Sequence, residues 1–212
     1  VLNGKPGKYT TGKDIILEVI RMIGVDGALY RTLEFVGSTI EHLSMDDRFS
    51  MCNMAIEAGA KNGIVACDAV TKEFLAEKDL AREPKIHQSD EDANYVKTIE
   101  IDVDKLDPVI AYPFLPSNGH SVNKAVEDKI KVDQAFIGSC TNGRLEDLRV
   151  AAEILDGKKI HEDVRLIVTP GTQMILREAN KLGYIDIIVD AGGVVSNPTC
   201  GACLGGYMGI LG

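Results

Sequence analysis

The feature that most constrains this chain is the rhythm of its second half. Short apolar runs alternate there with amphipathic stretches, and loops rich in glycine separate them. Gln134–Gly138 reads as a strand, Leu145–Leu155 as a helix with Leu145, Leu148, Ala152 and Leu155 facing inward, and Arg165–Val168 as a second strand. Gln173–Leu182 follows as a helix and Ile187–Val189 as a third strand. Strands separated by helical crossovers pair in parallel, so the rhythm predicts an α/β fold with mostly parallel sheets covered on both faces. In such a sheet, ligands gather outside the carboxyl ends of the strands.

The first half carries the same alphabet less regularly. Thr11, Gly12, Lys13 and Asp14 precede Ile15, Ile16, Val19, Ile20 and Ile23 at helical spacing, with Gly24 as a stop. Tyr30–Val36 reads as a strand. Ser44, with Asp47 three residues on, reads as the N-cap of a helix that runs through Glu57 and closes at Gly59. A short strand at Ile64–Ala66 and a helix at Thr71–Glu77 come next. Periodicity then gives way to charge from Lys78 to Asn94, a solvated excursion. Alternation returns at Ile99, Ile101 and Val103, and again over Val109–Tyr112. Pro113, Pro116, Asn118 and Gly119 interrupt the pattern, which places a domain division there: residues 1–117 and residues 118–212.

Composition narrows the class of partner. With 45% hydrophobic and 26% charged residues the chain has ample material for buried cores, and its net charge of −9 is spread along its length. That balance argues against a nucleic-acid or anionic-membrane partner. No apolar run approaches the ~18 residues of a membrane span, and no secretory signal is visible. The reading is a cytoplasmic protein. The first residue is Val1, as expected of a processed chain or a piece of a longer one.

Five cysteines do not suit a fully paired disulfide framework. Cys52 and Cys67 lie among small apolar residues and read as core packing. The other three are different. Cys140 sits in Gly138-Ser139-Cys140-Thr141-Asn142-Gly143, just past a strand. Cys200 and Cys203 form a C-x-x-C in Asn197-Pro198-Thr199-Cys200-Gly201-Ala202-Cys203. Strand order would bring all three to one rim of one sheet. Three thiolates are one short of a closed zinc or iron–sulfur site, so a metal held there keeps an open position. Spacing alone leaves a cluster, half a structural zinc site and a redox dithiol all open. The four histidines, His42, His87, His120 and His161, offer no H-x₃₋₅-H spacing to complete a zinc site.

Two further constellations carry chemistry. Asn53 and Glu57 stand four apart on one helix, which puts them on one face. Polar pairs on a helix are ordinarily solvated, but Met51–Ala60 is otherwise nearly apolar, so Glu57 is expected to be partly buried and in need of a partner or a role. The turn Thr169-Pro170-Gly171-Thr172 either offers free amides to an anion or simply starts a helix.

At these residues the chain resembles a known family. Phe136-Ile137-Gly138-Ser139-Cys140-Thr141-Asn142-Gly143-Arg144-Leu145-Glu146-Asp147-Leu148 resembles the first cluster-ligand motif of the aconitase superfamily, and Asn197–Gly205 resembles the second. Cys52–Ala60 is similar to the family's helix and Val168–Thr172 to its strand–turn. The match is collinear over essentially all 212 residues, with the four motifs in order. The wording is closest to the branch of separate large subunits that act on isopropylmalate or, alternatively, on homocitrate-type acids. The resemblance implies aconitase-like three-layer α/β/α domains, with residues 1–117 as a second domain and 118–212 as a truncated third.

It further implies that Cys140, Cys200 and Cys203 hold a 4Fe-4S cluster with one labile iron. Glu57 would hydrogen-bond the hydroxyl that leaves and returns, and Asn53 would neighbour the substrate or the cluster. The implied reaction is a hydro-lyase isomerisation of a small hydroxy acid in leucine biosynthesis. A separate small subunit would supply a catalytic serine and the loop that selects substrate. Missing from the match are the family's early Asp-Ser-His-Thr segment, its Asp-His motif and its arginine-bearing stretch beyond Gly212. The 212 residues are therefore expected to be inactive alone. Cys67 stands where relatives commonly have proline. A cluster-free regulator and a zinc module remain the non-enzymatic alternatives.

Overall fold

The computed structural model describes residues 1–77 and 84–208. The chain divides into two compact units, Val1–Lys129 and Ile130–Gly212. The first begins with β1 (Leu2–Asn3) and α1 (Gly12–Ile23), whose buried face carries Ile15, Ile16, Leu17, Val19 and Ile20. Gly24 ends that helix, as its sequence position implied. β2 (Thr32–Phe35) leads to α2 (Met45–Met54), capped by the Ser44 hydroxyl accepting from the Asp47 amide at 3.1 Å. The two helices meet at Gly12. Its amide donates to Asp47 Oδ1 at 2.6 Å, and a Cβ there would stand 2.8 Å from the Asp47 Cα. Close approach of the two helix starts therefore depends on a residue without a side chain.

After α2 the chain tightens into a 3₁₀ turn over Ala55–Ala58 and leaves through Gly59 in the left-handed conformation. β3 (Asn62–Val65) pairs with β2 in parallel, and α3 (Ala69–Ala76) follows. In the excursion, residues 84–94 are exposed and residues 78–83 lie outside the described set. Glu34 on β2 anchors it, accepting from the Ser89 hydroxyl at 2.8 Å and the Tyr95 hydroxyl at 2.6 Å. The strand expected over Ile99–Val103 is shorter, β4 (Ile101–Asp102), paired in parallel with β1. The chain turns away at Val103–Lys105, where Asp104 accepts from the Lys5 amide at 3.0 Å.

β5 (Val109–Ala111) and β6 (Gly119–Ser121) form an antiparallel pair, followed by α4 (Val122–Asp128). Their pairing spans the proline- and glycine-rich stretch, so the compact units part at Lys129–Ile130, on the carboxyl side of the 117/118 position read from sequence. One core serves this unit, with Ile15, Ile16, Ile20, Met51 and Val103 fully buried.

Asp14 ties that core together. It is 8% exposed and accepts from the Thr11 amide and hydroxyl, each at 2.7 Å, and from the Val109 amide at 2.7 Å. One carboxylate thus caps α1 and fixes β5 against it. Asp14→Ala should cost about 2 to 3 kcal/mol, since it removes the cap and strands two amides. A urea midpoint unchanged by the substitution would refute this.

The second unit holds the rhythm read from the sequence. β7 (Gln134–Gly138), the short α5 (Ser139–Asn142), α6 (Leu145–Leu155), β8 (Arg165–Thr169), α7 (Gln173–Lys181), α8 (Tyr184–Asp190) and β9 (Val194–Val195) follow in order. The sheet order is β7-β8-β9, all parallel. Leu148 of α6, Ala179 of α7 and Ile188 of α8 share one core with Leu166 and Val168 of β8. The sequence expectation of a strand at Ile187–Val189 is corrected: these residues belong to α8, and Ile188 is fully buried from it. The third strand is β9. The α/β class with mostly parallel pairing holds throughout. Among the described residues no helix is long and apolar enough to cross a membrane.

Candidate functional site

The carboxyl edge of the second unit's sheet is built from three loops. β7 ends at Gly138, whose φ of +144° and ψ of −146° fall where only glycine is comfortable. Ser139 follows with φ +67°, an unusual conformation for a residue with a side chain, and is 4% exposed. Cys140 comes next, exposed, in the four-residue α5. The return is held by the Gly143 amide donating to Ser139 O at 2.9 Å and the Gly171 amide donating to Gly143 O at 2.7 Å. Loop one is thereby stitched to the loop after β8. A Cβ at Gly143 would stand 2.5 Å from both Ser139 O and Thr169 O, so the two loops close only over glycine.

At the end of β8, Thr169 is fully buried and its hydroxyl lies 2.9 Å from the Ser196 hydroxyl beyond β9. Ser196 is anchored in turn by its amide, which donates to Val168 O at 2.9 Å. The Thr169–Thr172 turn acts as a helix start: the Thr172 hydroxyl accepts from the Ile175 amide at 3.1 Å.

The third loop carries the C-x-x-C. Cys200 and Cys203 bracket a 3₁₀ turn over Gly201–Cys203, and the Cys203 amide donates to Cys200 O at 3.1 Å. Both thiols are exposed. Gly201 between them is buried with φ +54°, and a Cβ there would meet the Phe136 ring at 3.0 Å. Phe136 belongs to β7, the strand that delivers Cys140. The C-x-x-C turn leaves β9 and packs on the far strand of the sheet, beside the origin of the first thiol.

Cys140 thus lies on the loop after β7, and Cys200 and Cys203 lie on the loop after β9. Among the described residues, no three His, Cys, Asp or Glu side chains are drawn together as a metal-ligand group. The donor chemistry nonetheless fits an iron–sulfur cluster: three solvent-facing thiols, soft ligands of the kind such clusters use, with a glycine cradle at the pair.

Asn53 and Glu57 lie in the first unit. Both are exposed, Asn53 in the last turn of α2 and Glu57 in the following 3₁₀ turn. The expected partial burial of Glu57 is corrected. A 3₁₀ turn has three residues per turn, so Ala55 and Ala58 take the buried side and Ile56 and Glu57 face out. Cys52 is half-buried against the first core, and burial pushes its thiol pKa up, as core packing implied. Cys67 is half-buried as well.

Sequence reasoning passed over Asp147. It sits in the first turn of α6, and its carboxylate accepts from the Arg144 amide at 2.9 Å and the Asn142 side-chain amide at 3.1 Å. An acidic residue three positions after a turn was the available signal.

The model of the aconitase family (aconitate hydratase) matches residues 1–211. The chain belongs to the aconitase family. It is 83% identical over 211 residues to the 3-isopropylmalate dehydratase large subunit of Sulfurimonas denitrificans, covering 100% of this chain and 50% of that protein. The large subunits of the same name from Aliarcobacter butzleri and Wolinella succinogenes are 73% and 69% identical, again across all of this chain and over 51% and 50% of theirs. This aconitase-family chain thus spans about half the length of the curated relatives it matches. The solved structure of aconitase X from Thermococcus kodakaraensis aligns over 97% of this chain and 46% of its own, at 17% identity and a TM-score of 0.48.

Proposed function

We propose that the chain is the cluster-bearing part of a 3-isopropylmalate dehydratase large subunit, a cytoplasmic hydro-lyase that interconverts 2- and 3-isopropylmalate through isopropylmaleate. The observation that carries this reading is the packing of Gly201 on Phe136, which sets the Cys200–Cys203 pair beside the strand leading to Cys140. The names of relatives up to 83% identical support it.

Cys140, Cys200 and Cys203 are the residues that would hold a 4Fe-4S cluster. When bound, such a cluster supplies Lewis acidity at an iron without a protein ligand, where a hydroxyl on an otherwise unactivated carbon becomes able to leave. The protein's part is proton handling and orientation. Glu57, exposed in the 3₁₀ turn after α2, hydrogen-bonds the hydroxyl that leaves and returns at the neighbouring carbon. Asn53, one helical turn earlier, orients the substrate by hydrogen bonding. A base on a separate small subunit takes the proton lost from the adjacent carbon, and that proton and the departing hydroxyl together make up the one water released as the double bond forms.

The test is Cys140→Ser in the full-length chain. Anaerobic iron and sulfide should give wild-type protein a broad visible absorption that fades in air, and the variant should lose most of its bound iron. Equal iron and sulfide in variant and wild type would remove Cys140 from the ligand set and with it this reading.

A further inference from the structure

The Cys140 loop is held in an uncomfortable shape. Ser139 is forced to φ +67° while buried, and Gly138 occupies a glycine-only conformation beside it. Strained backbone of this kind persists only where neighbouring contacts over-determine it. Two of those contacts are backbone bonds, Gly143 to Ser139 and Gly171 to Gly143. Both lie at or before Gly143, leaving the far side of the loop to be fixed by something else.

That group is Asp147. One of its oxygens, Oδ2, accepts from the Arg144 amide at 2.9 Å, an ordinary helix-cap bond. Capping explains no more than this. The other, Oδ1, accepts from the Asn142 side chain at 3.1 Å, within the cysteine loop and two residues from Cys140. A single carboxylate thus clamps the loop from both sides of Gly143 and ties it to the first turn of α6. That helix is anchored in turn by Leu148, fully buried next to Asp147 in the core.

We propose that Asp147 is a positioning residue, which sets where the Cys140 thiol stands relative to the Cys200–Cys203 pair. It acts through the loop that carries Cys140, by its bonds to Asn142 and Arg144. The proposal rests on the reading of Cys140 as third ligand of that site. Mutation of a group that orients a metal ligand from behind typically costs ten- to a hundredfold in affinity.

The test uses trivalent arsenic on the metal-free full-length chain. Arsenite condenses with three thiols, releasing water, and binds tightly only where all three already stand together. Phenylarsine oxide needs two, which the Cys200–Cys203 pair supplies alone. Asp147→Ala should weaken arsenite binding about tenfold and leave phenylarsine oxide binding unchanged. Asp147→Asn, which keeps the shape and one acceptor, should lose about threefold; it serves as the deciding variant should the alanine protein fail to fold. Arsenite affinity unchanged in both variants would overturn the proposal, and so would a parallel loss for both arsenicals, which signals general loosening. Cys140→Ser separates the two levels: if it binds arsenite as tightly as wild type, the three-thiol site itself is refuted along with the positioning role. Tight wild-type binding that Asp147 does not influence refutes the positioning role alone.

Discussion

Gly138→Ala should abolish stable folding of the second unit. β7 ends at this residue in register with Thr169 of β8, and its φ of +144° and ψ of −146° are closed to residues with a side chain. A Cβ there would stand 2.8 Å from the Thr169 carbonyl carbon and closer still to its oxygen. Both partners are backbone in a parallel ladder, and Thr169 is itself fully buried, so neither can give way. The conformational cost and the overlap together come to about 4 kcal/mol or more, comparable to the whole stability of a marginal domain. Urea unfolding followed by amide exchange at Val168 and Leu148 would show early loss of protection in the second unit. Wild-type protection at those amides would refute the argument. A variant folded well enough to be purified should also carry a displaced Cys140 loop, because Ser139 takes its direction from Gly138.

The legible parts of this fold are those where several local signals agreed. α1 has apolar spacing, a cap and a glycine stop, and α6 and β7 are long enough for their period to be unambiguous. The misread strand at Ile187–Val189 shows the limit. Three β-branched residues in a row look alike in a strand and in a buried helix, and only the packing of Ile188 against Leu148 decides between them. β9, with two residues, was too short to announce itself. For the candidate site, the sequence placed Cys140 after the strand that is β7, but it set Cys200 and Cys203 after a strand at Ile187–Val189 that is α8. The contact of Gly201 with Phe136 was not legible, because it joins residues from opposite ends of the unit through packing. Glu57 was misjudged for a related reason: an apolar neighbourhood in sequence does not reveal which side of a tightened turn faces water. Arg48 was passed over altogether, since an arginine on a helix ordinarily points to solvent.

That arginine carries the second large effect. Arg48 on α2 is 2% exposed, and its guanidinium meets Asp68 through two bonds of 2.6 and 2.7 Å. It also donates to Ile40 O at 2.8 Å and to the Thr71 hydroxyl at 3.1 Å, which joins α2, the turn before it and the start of α3. Asp68 is the N-cap of α3 as well, accepting from the Thr71 amide at 3.0 Å. Asp68→Ala leaves a buried cation without its counter-charge, a loss of about 3 to 5 kcal/mol, with about 1 kcal/mol more for the cap. Asp68→Asn retains a good cap and isolates the charge. The two variants therefore apportion the loss between pairing and capping.

The hydrogen bond from Arg48 holds the Asp68 carboxyl well below the usual carboxylate range, assisted by Thr71 and opposed by partial burial. A carboxyl whose pKa is depressed by folding stabilises the native state above its unfolded pKa of about 3.9, and that contribution fades as pH falls through the folded value. Wild-type stability should accordingly decline on acidification below about pH 4, and Asp68→Asn should lack that part of the decline. Urea midpoints taken from neutral pH into the acid range would read both effects. Parallel acid limbs in wild type and Asp68→Asn would show that the pair contributes nothing pH-dependent to folding.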